Sequence, residues 1–161
     1  MAKVQGPGIL NQWSCHLPGL STQIERFYQY VGEGFAKKQI PNMDPYWSLV
    51  GSTFGTKKNF WAADYGESTC FIGAETLGVD LFVSWLIYNP KWQKEQMKAQ
   101  SLTRAVFWSM FGSDIGDMLE LSCFAAVIKE CAISATERLM DEGHLDKSKM
   151  NRQSSGVLGP I

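Results

Sequence analysis

Apolar residues recur at helical spacing in the first third of the chain. Ser21 or Thr22 is a suitable N-cap, and apolar side chains follow at intervals of three and four residues up to about Lys38. Pro41 and Pro45 then force a loop. The pattern predicts an amphipathic helix whose apolar positions are Ile24, Phe27, Tyr28, Val31 and Phe35.

The longest predicted helix runs from Ser101 to Glu142. Ser101 is a plausible N-cap, no proline interrupts the segment, and Gly143 is a natural stop. Residues 1–20 and 144–161 are polar or punctuated by glycine and proline, which predicts extended tails. We therefore expect a mainly α fold: one domain over residues 1–161, with a long C-terminal helix, shorter helices and two extended Gly/Pro-rich tails.

Residues 69–88 form an apolar run long enough for a bilayer span. The run contains Glu75 and Asp80, and each acid costs roughly 2.5–3.5 kcal/mol at the centre of a membrane helix. Aromatic rings and lysines alternate at its end, as they do at membrane interfaces. A span, an interfacial segment and a soluble core helix all remain open. The predicted membrane-interface residues are Trp85, Tyr88, Lys91, Trp92 and Lys94.

A second apolar segment, residues 105–128, contains Gly112 and Gly116. Two glycines four residues apart leave a flat patch on a helix, where a second helix can approach closely. We predict that these glycines are a helix-packing site. Three acids, Asp114, Asp117 and Glu120, lie on one side of the same helix and form either a solvated stripe or a partner-facing one.

The segment 107–116, Phe-Trp-Ser-Met-Phe-Gly-Ser-Asp-Ile-Gly, resembles the membrane helix of subunit g of mitochondrial ATP synthase. Gly112 and Gly116 match the glycines of that family and Ile115 matches an aliphatic position. Asp114 is displaced by one place, and acids follow where the family has basic residues. The resemblance implies a role without catalysis, in which the glycine face pairs with a neighbouring small subunit at the membrane-bending edge of the enzyme.

Composition narrows the classes of function. The chain has 161 residues, of which 45% are hydrophobic and only 19% charged. A net charge of −1 provides no basic field for nucleic acid, and a mean hydropathy of −0.15 excludes a polytopic membrane protein. Charge is segregated, with an excess of bases in residues 89–104 and of acids in residues 105–142. This segregation is typical of a chain that completes its burial against other proteins or lipid.

No catalytic, cofactor or metal site is predicted. The two histidines, His16 and His144, are not spaced as metal ligands, and the four cysteines form no CxxC pair. Cys15 and His16 are adjacent and would point to opposite faces of an extended strand. Two lysine pairs flanked by aromatic rings, Lys37 with Lys38 and Lys57 with Lys58, are predicted to bind anionic lipid headgroups such as cardiolipin.

These observations predict a non-enzymatic accessory subunit of a large membrane-associated complex. The expected assembly is a mitochondrial ATP synthase or respiratory complex at the inner membrane, in which the chain acts by helix packing and by stapling its neighbours. Its expected partners are the other subunits and anionic lipid, with no nucleic acid. The alternative is a soluble, cytoplasmic helical adaptor that resembles a secretion chaperone.

Overall fold

The fold is built on one antiparallel sheet of six strands. The computed structural model describes residues 8–51, 57–91, 115–149 and 151–156. The strands lie in the order β2-β3-β4-β5-β1-β6, and this α/β arrangement shows that the mainly α prediction is wrong. The elements are β1 (Ile9–Leu17), α1 (Ile24–Lys38), β2 (Tyr46–Gly51), β3 (Lys57–Tyr65), β4 (Ser68–Leu77), β5 (Asp80–Tyr88), α2 (Ile115–Glu142) and β6 (Asn151–Gly156).

The apolar run 69–88 is a β-hairpin and not a helix. Strands β4 and β5 pair from Thr69–Tyr88 to Leu77–Asp80, and Gly78 opens the turn with a φ of +64°, as a two-residue type II′ turn requires. The run misled the sequence prediction because both faces of the hairpin carry apolar side chains. The inward set includes Ile72, Ala74, Leu81, Val83, Trp85 and Ile87, and the outward set includes Phe71, Phe82 and Leu86.

The two predicted tails contain strands of the sheet. β1 lies between β5 and β6, and its side chains Trp13, Cys15 and Leu17 are buried. Gly8 and Gly19, with φ values of +93° and +72°, lie just outside β1. The glycine and proline signals therefore bracket the strand and do not interrupt it. The prediction of extended tails over residues 1–20 and 144–161 is wrong for β1 and β6.

The predicted N-terminal helix is present as α1, although it begins differently. A 3-10 turn over Ser21–Gln23 precedes it, and its N-cap is Gln23 without a side-chain cap bond. Neither Ser21 nor Thr22 is therefore the cap. The predicted end of the long helix is confirmed: α2 ends at Glu142, where Gly143 donates its N–H to the carbonyl of Leu139 at 2.9 Å. The predicted part from 101 to 114 lies outside the described residues.

Both helices lie on the same face of the sheet. The ring of Phe35 in α1 packs on Trp61 with centroids 4.2 Å apart, and Phe124 in α2 stacks on Tyr65 at 5.1 Å. Trp61 and Tyr65 are four residues apart in β3 and so share a face. The helices approach closely at Gly34, where an added Cβ would lie 3.3 Å from Sγ of Cys131. The core is therefore the layer between the sheet and this helix pair.

Candidate functional site

Strands β3 and β4 separate at one end of the sheet. Their pairing ends at Trp61 and Ile72, although β2 remains paired with β3 as far as Lys57. Likewise, β4 remains paired with β5 as far as Leu77. The part of β4 after Ile72 therefore lacks a strand on one side, and we call this opening the split.

Tyr28 of α1 enters the split from the helix side. Its hydroxyl accepts the N–H of Ala74 at 2.9 Å, in the place that a β3 carbonyl would otherwise occupy. Its ring meets the ring of Trp47 edge-on, with centroids 4.8 Å apart. Burial raises the pKa of Tyr28, which further favours the neutral phenol. One side chain thus both satisfies the exposed main chain of β4 and keeps the two strands apart.

We expect Tyr28→Phe to lower the free energy of unfolding by about 1 kcal/mol, because the N–H of Ala74 loses its acceptor. Urea denaturation measures this loss, and amide hydrogen exchange at Ala74 reports it locally. Tyr46→Phe is the matched control, since the Tyr46 hydroxyl donates to Asp64 at 3.1 Å on the exposed surface, where water replaces the bond. Equal stability and equal Ala74 exchange in wild type and Tyr28→Phe would contradict this role of Tyr28.

Two side-chain contacts hold the outer side of the split. The ring of Phe60 covers Gly73, because an added Cβ at Gly73 would lie 2.5 Å from it. Lys58 and Glu75 form an ion pair of 2.6 Å across the opening. Both charged groups are nearly half exposed, so the pair contributes little to stability. Its main effect is to neutralise the mouth of the split.

The split holds an open cavity of about 370 Å³. This volume is at the small end of the range for ligand sites. Since Lys58 and Glu75 neutralise each other, the cavity suits an apolar group better than a charged substrate. Its apolar surface comes from Ile24, Tyr28, Trp47, Phe60 and Ala74, and its polar lining from Glu25, Lys58, Asn59 and Glu75.

Large apolar side chains are exposed on both sides of the split. Leu77 and Val79, at the β4–β5 turn, are each 72% exposed, and Trp47 and Leu49 on β2 are 58% and 57% exposed. Val50 is also exposed. We call these five side chains the apolar rim. Monomeric proteins seldom expose large apolar side chains in groups, and where they do the patch usually binds another molecule.

A histidine–carboxylate pair lies at the same end of the sheet. Nε2 of His16 is 2.8 Å from Oδ2 of Asp80, and the His16 ring stacks on Phe82. The N–H of Gly19 donates to the other carboxylate oxygen of Asp80 at 3.0 Å. This N–H, followed by His16, lowers the pKa of Asp80. The pair ties the end of β1 to the start of β5, which explains it as a structural contact.

The predicted helix-packing glycines cannot both be placed. Gly116 lies in the first turn of α2, and Gly112 lies outside the described residues. Within the described ranges, neither helix combines the length and the apolar composition needed to span a membrane. The packing role of the two glycines stays a prediction.

The predicted membrane-interface residues do not share one surface. Trp85 is 2% exposed and belongs to the core, so its indole contacts protein. Tyr88, three residues further along β5, points to the opposite face and is half-buried. Lys91 is exposed and lies 3.6 Å from Glu67. Trp92 and Lys94 lie outside the described residues.

The two lysine pairs lie on different parts of the fold. Lys38 forms an ion pair of 2.6 Å with Glu130, and it lines a groove of about 280 Å³ between the helices together with Lys37. Lys58, by contrast, is paired with Glu75 at the split. The backbone of Lys57 belongs to β3. Lys37 and Lys38 therefore lie on a different element from Lys58, and the side chain of Lys57 is outside the described part of the structure.

The split and the apolar rim were not predicted from the sequence. The hairpins that carry them did have a local signal, the glycines Gly66 and Gly78, which are twelve residues apart and are each followed by a strand. Glycines at this interval, between runs of aromatic and β-branched residues, indicate successive hairpins. The separation of β3 from β4 has no such signal, because it depends on Tyr28 reaching Ala74 across 46 positions of sequence.

Comparison with protein-family models, with curated proteins and with solved structures finds no match for this chain.

Proposed function

We propose that this protein is a non-catalytic subunit of a protein assembly, and that it binds a partner chain through the apolar rim and the cavity in the split. The observation that carries the proposal is the exposure of Trp47, Leu49, Leu77 and Val79 on β2 and on the β4–β5 turn, together with the apolar walls of the cavity in the split. Burying such side chains against a partner removes apolar surface from water, which favours association. A cavity beside them can take an anchoring side chain, as in the centres of well-packed interfaces.

The chemistry of the cavity supports binding more than catalysis. Its charged pair, Lys58 and Glu75, is mutually satisfied at 2.6 Å, and the hydroxyl of Tyr28 is engaged as the acceptor of the Ala74 N–H. No group of three metal-ligating side chains occurs in the residues that the structure describes. A partner's aliphatic or aromatic side chain is therefore the occupant that this cavity suits best.

The identity of the assembly is a separate proposal. Its attribution to a mitochondrial ATP synthase or respiratory complex at the inner membrane rests on the resemblance carried by residues 107–116. Most of that segment lies outside the described residues. Binding of a partner chain through the apolar rim, which we call the adaptor function, does not depend on this attribution. The same binding surface would also suit a cytoplasmic adaptor.

The test compares two surfaces that each expose leucine. Leu77 and Val79 are replaced together by Asp, and Leu119, which is 62% exposed on α2, is replaced by Asp as the matched control. Each tagged chain is purified from its native cells, and co-purifying proteins are quantified by mass spectrometry. Circular dichroism and the melting temperature establish that each variant is folded.

We expect the Leu77→Asp/Val79→Asp chain to lose at least one defined partner by tenfold or more, while Leu119→Asp retains it. Two buried carboxylates at an apolar contact cost far more than the binding energy that such a contact supplies. Retention of every partner by the double variant would overturn the proposal, and so would an equal loss in the control.

A further inference from the structure

Among the residues that the structure describes, no strand pairs with the outer side of β2. It is the outermost strand beside β3, and its register runs without a shift from Tyr46–Ala62 to Gly51–Lys57. Natural edge strands usually carry lysine, proline or a bulge that prevents pairing with another chain. The segment Tyr-Trp-Ser-Leu-Val over residues 46–50 carries no charge and no proline. β2 is therefore competent to accept another strand.

The main-chain groups of Trp47 and Leu49 point toward the free edge. The N–H of Ala74 points into the split, on the β3 side of β4. The main-chain groups of alternate residues in a strand point the same way, so those of Ile72 also point to β3, and those of its partner Trp61 point back to β4. Trp61 also lies opposite Trp47 of β2. Because the main-chain groups of Trp61 point to β4, this pair is not hydrogen-bonded, and the N–H and C=O of Trp47 point away from β3, toward the free edge. Leu49, two residues on, does the same.

We propose that β2 pairs antiparallel with β2 of a second copy of this chain, about a two-fold axis at Ser48, to form a dimer with one continuous sheet. Trp47 of each copy then faces Leu49 of the other. Each of these two pairs exchanges both main-chain hydrogen bonds, as a directly opposed antiparallel pair does. The proposal rests on the proposed function, that the apolar rim binds protein, and identifies the chain that binds at β2.

The side chains of β2 are complementary to themselves in this register. On the helix side an exposed Trp47 meets an exposed Leu49, and on the open side Tyr46 meets Val50. Aromatic rings opposite aliphatic side chains are favourable cross-strand pairs. A two-fold interface requires one patch that matches itself, and the order aromatic-aromatic-serine-aliphatic-aliphatic satisfies this requirement.

Two charged side chains beside β2 are engaged within each copy. Lys58, opposite Val50, is paired with Glu75, and Asp64 accepts the hydroxyl of Tyr46. The second copy is thus favoured by shape and by main-chain pairing.

The experiment measures the mass of the particle by analytical ultracentrifugation. The wild-type chain is expected at twice its 18.0 kDa. Leu49→Glu places a carboxylate against Trp47 of the second copy, and Trp47→Lys places an ammonium against Leu49, so each variant alone is expected at the monomer mass. Mixed in equal amounts, they are expected to return to the dimer mass, because one site then pairs Glu with Lys and the other retains Trp with Leu.

Two further variants keep the test decisive if Trp47→Lys fails to fold. Leu49→Pro removes the outward N–H, which an edge strand tolerates. It is expected at the monomer mass, with the same melting temperature as the monomeric Leu49→Glu chain. Leu119→Glu, which places the same charge on α2, is expected to remain a dimer.

Three results would overturn the proposal. The first is a wild type that stays monomeric over a 100-fold range of concentration up to about 0.1 mM. The others are a dimeric Leu49→Glu or Leu49→Pro chain, and a mixture of the two folded charge variants that stays monomeric. The outcome is independent of the partner test, which alters only Leu77 and Val79. A monomeric wild type whose partner is still lost in Leu77→Asp/Val79→Asp would overturn the dimer alone. A dimer whose partners are insensitive to that double variant would overturn the adaptor function at the split alone.

Discussion

Removal of residues 1–20 is expected to abolish folding. β1 (Ile9–Leu17) is hydrogen-bonded on both sides, to β5 and to β6, and its loss leaves two unpaired strand edges inside the sheet. It also removes the buried side chains of Trp13, Cys15 and Leu17, and burial of a large apolar side chain such as Leu17 contributes roughly 1.5–3 kcal/mol. A domain is stable by only about 5–15 kcal/mol in total.

The truncated chain should therefore show no cooperative thermal transition and no near-ultraviolet circular dichroism. Leu17→Asp, at a position with 0% exposure, should give the same result within the full-length chain, because an unpaired carboxylate is buried in the core. Ser14→Asp is the matched control, since Ser14 lies in the same strand but is exposed. A truncated chain that melts like the wild type would show that residues 1–20 are a tail after all.

Trp85→Ala is expected to lower the free energy of unfolding by about 3–5 kcal/mol. Trp85 is 2% exposed at the centre of β5, opposite Trp13 of β1, so its removal leaves a cavity between the sheet and the helices. Chemical denaturation with guanidinium measures the loss. A tryptophan at a membrane surface would instead be replaceable with little change in stability of the isolated chain.

Trp85→Phe distinguishes the contribution of ring volume from that of the indole N–H. The indole N–H of Trp85 has no hydrogen-bond acceptor in the described residues, so phenylalanine loses no bond and leaves a smaller cavity. We expect a loss of about 1 kcal/mol, well below that of Trp85→Ala. Equal losses in the two variants would indicate that the indole N–H is bonded, and an unchanged stability of Trp85→Ala would contradict the buried position.

The two proposals describe different parts of the apolar rim. Pairing through β2 would cover Trp47 and Leu49 and leave Leu77 and Val79 exposed in each copy. A dimer of this kind presents two equivalent binding sites, and a partner with two matching segments would bind it with an avidity beyond that of either site. The dimer would thus add to the adaptor function without competing for the β4–β5 turn.

Local patterns were reliable where one face of an element is polar. The 3-4 spacing from Ile24 to Phe35 predicts α1 correctly, and Gly143 marks the end of α2. The same reasoning failed for β4 and β5, because Phe71, Phe82 and Leu86 on the open face remove the alternation that identifies a half-buried strand. A continuous apolar run is compatible with either a helix or a strand until its partners are known.

The candidate site could not be predicted at all, for a different reason. The split exists because Tyr28 bonds to Ala74 and because Phe60 occupies the space over Gly73. These contacts join residues that are 46 and 13 positions apart in sequence, and neither carries a local motif. The lysine pairs show the converse case. A shared local pattern gave Lys38 and Lys58 the same predicted role, but Lys38 lies in α1 and Lys58 in β3, and each forms an ion pair with a glutamate of a different element.

The sequence by itself determined the helix α1, the stop of α2, and the shortage of charge that favours a binding role. Only the tertiary structure decided that Ile9–Leu17 is a strand and residues 69–88 a hairpin, that Trp85 is in the core, and that four large apolar side chains are exposed: Trp47, Leu49, Leu77 and Val79. The physical reason is that an apolar side chain has the same local preference whether it will be buried or left on a surface. Burial depends on which strands and helices lie beside it, and these neighbours come from distant parts of the chain.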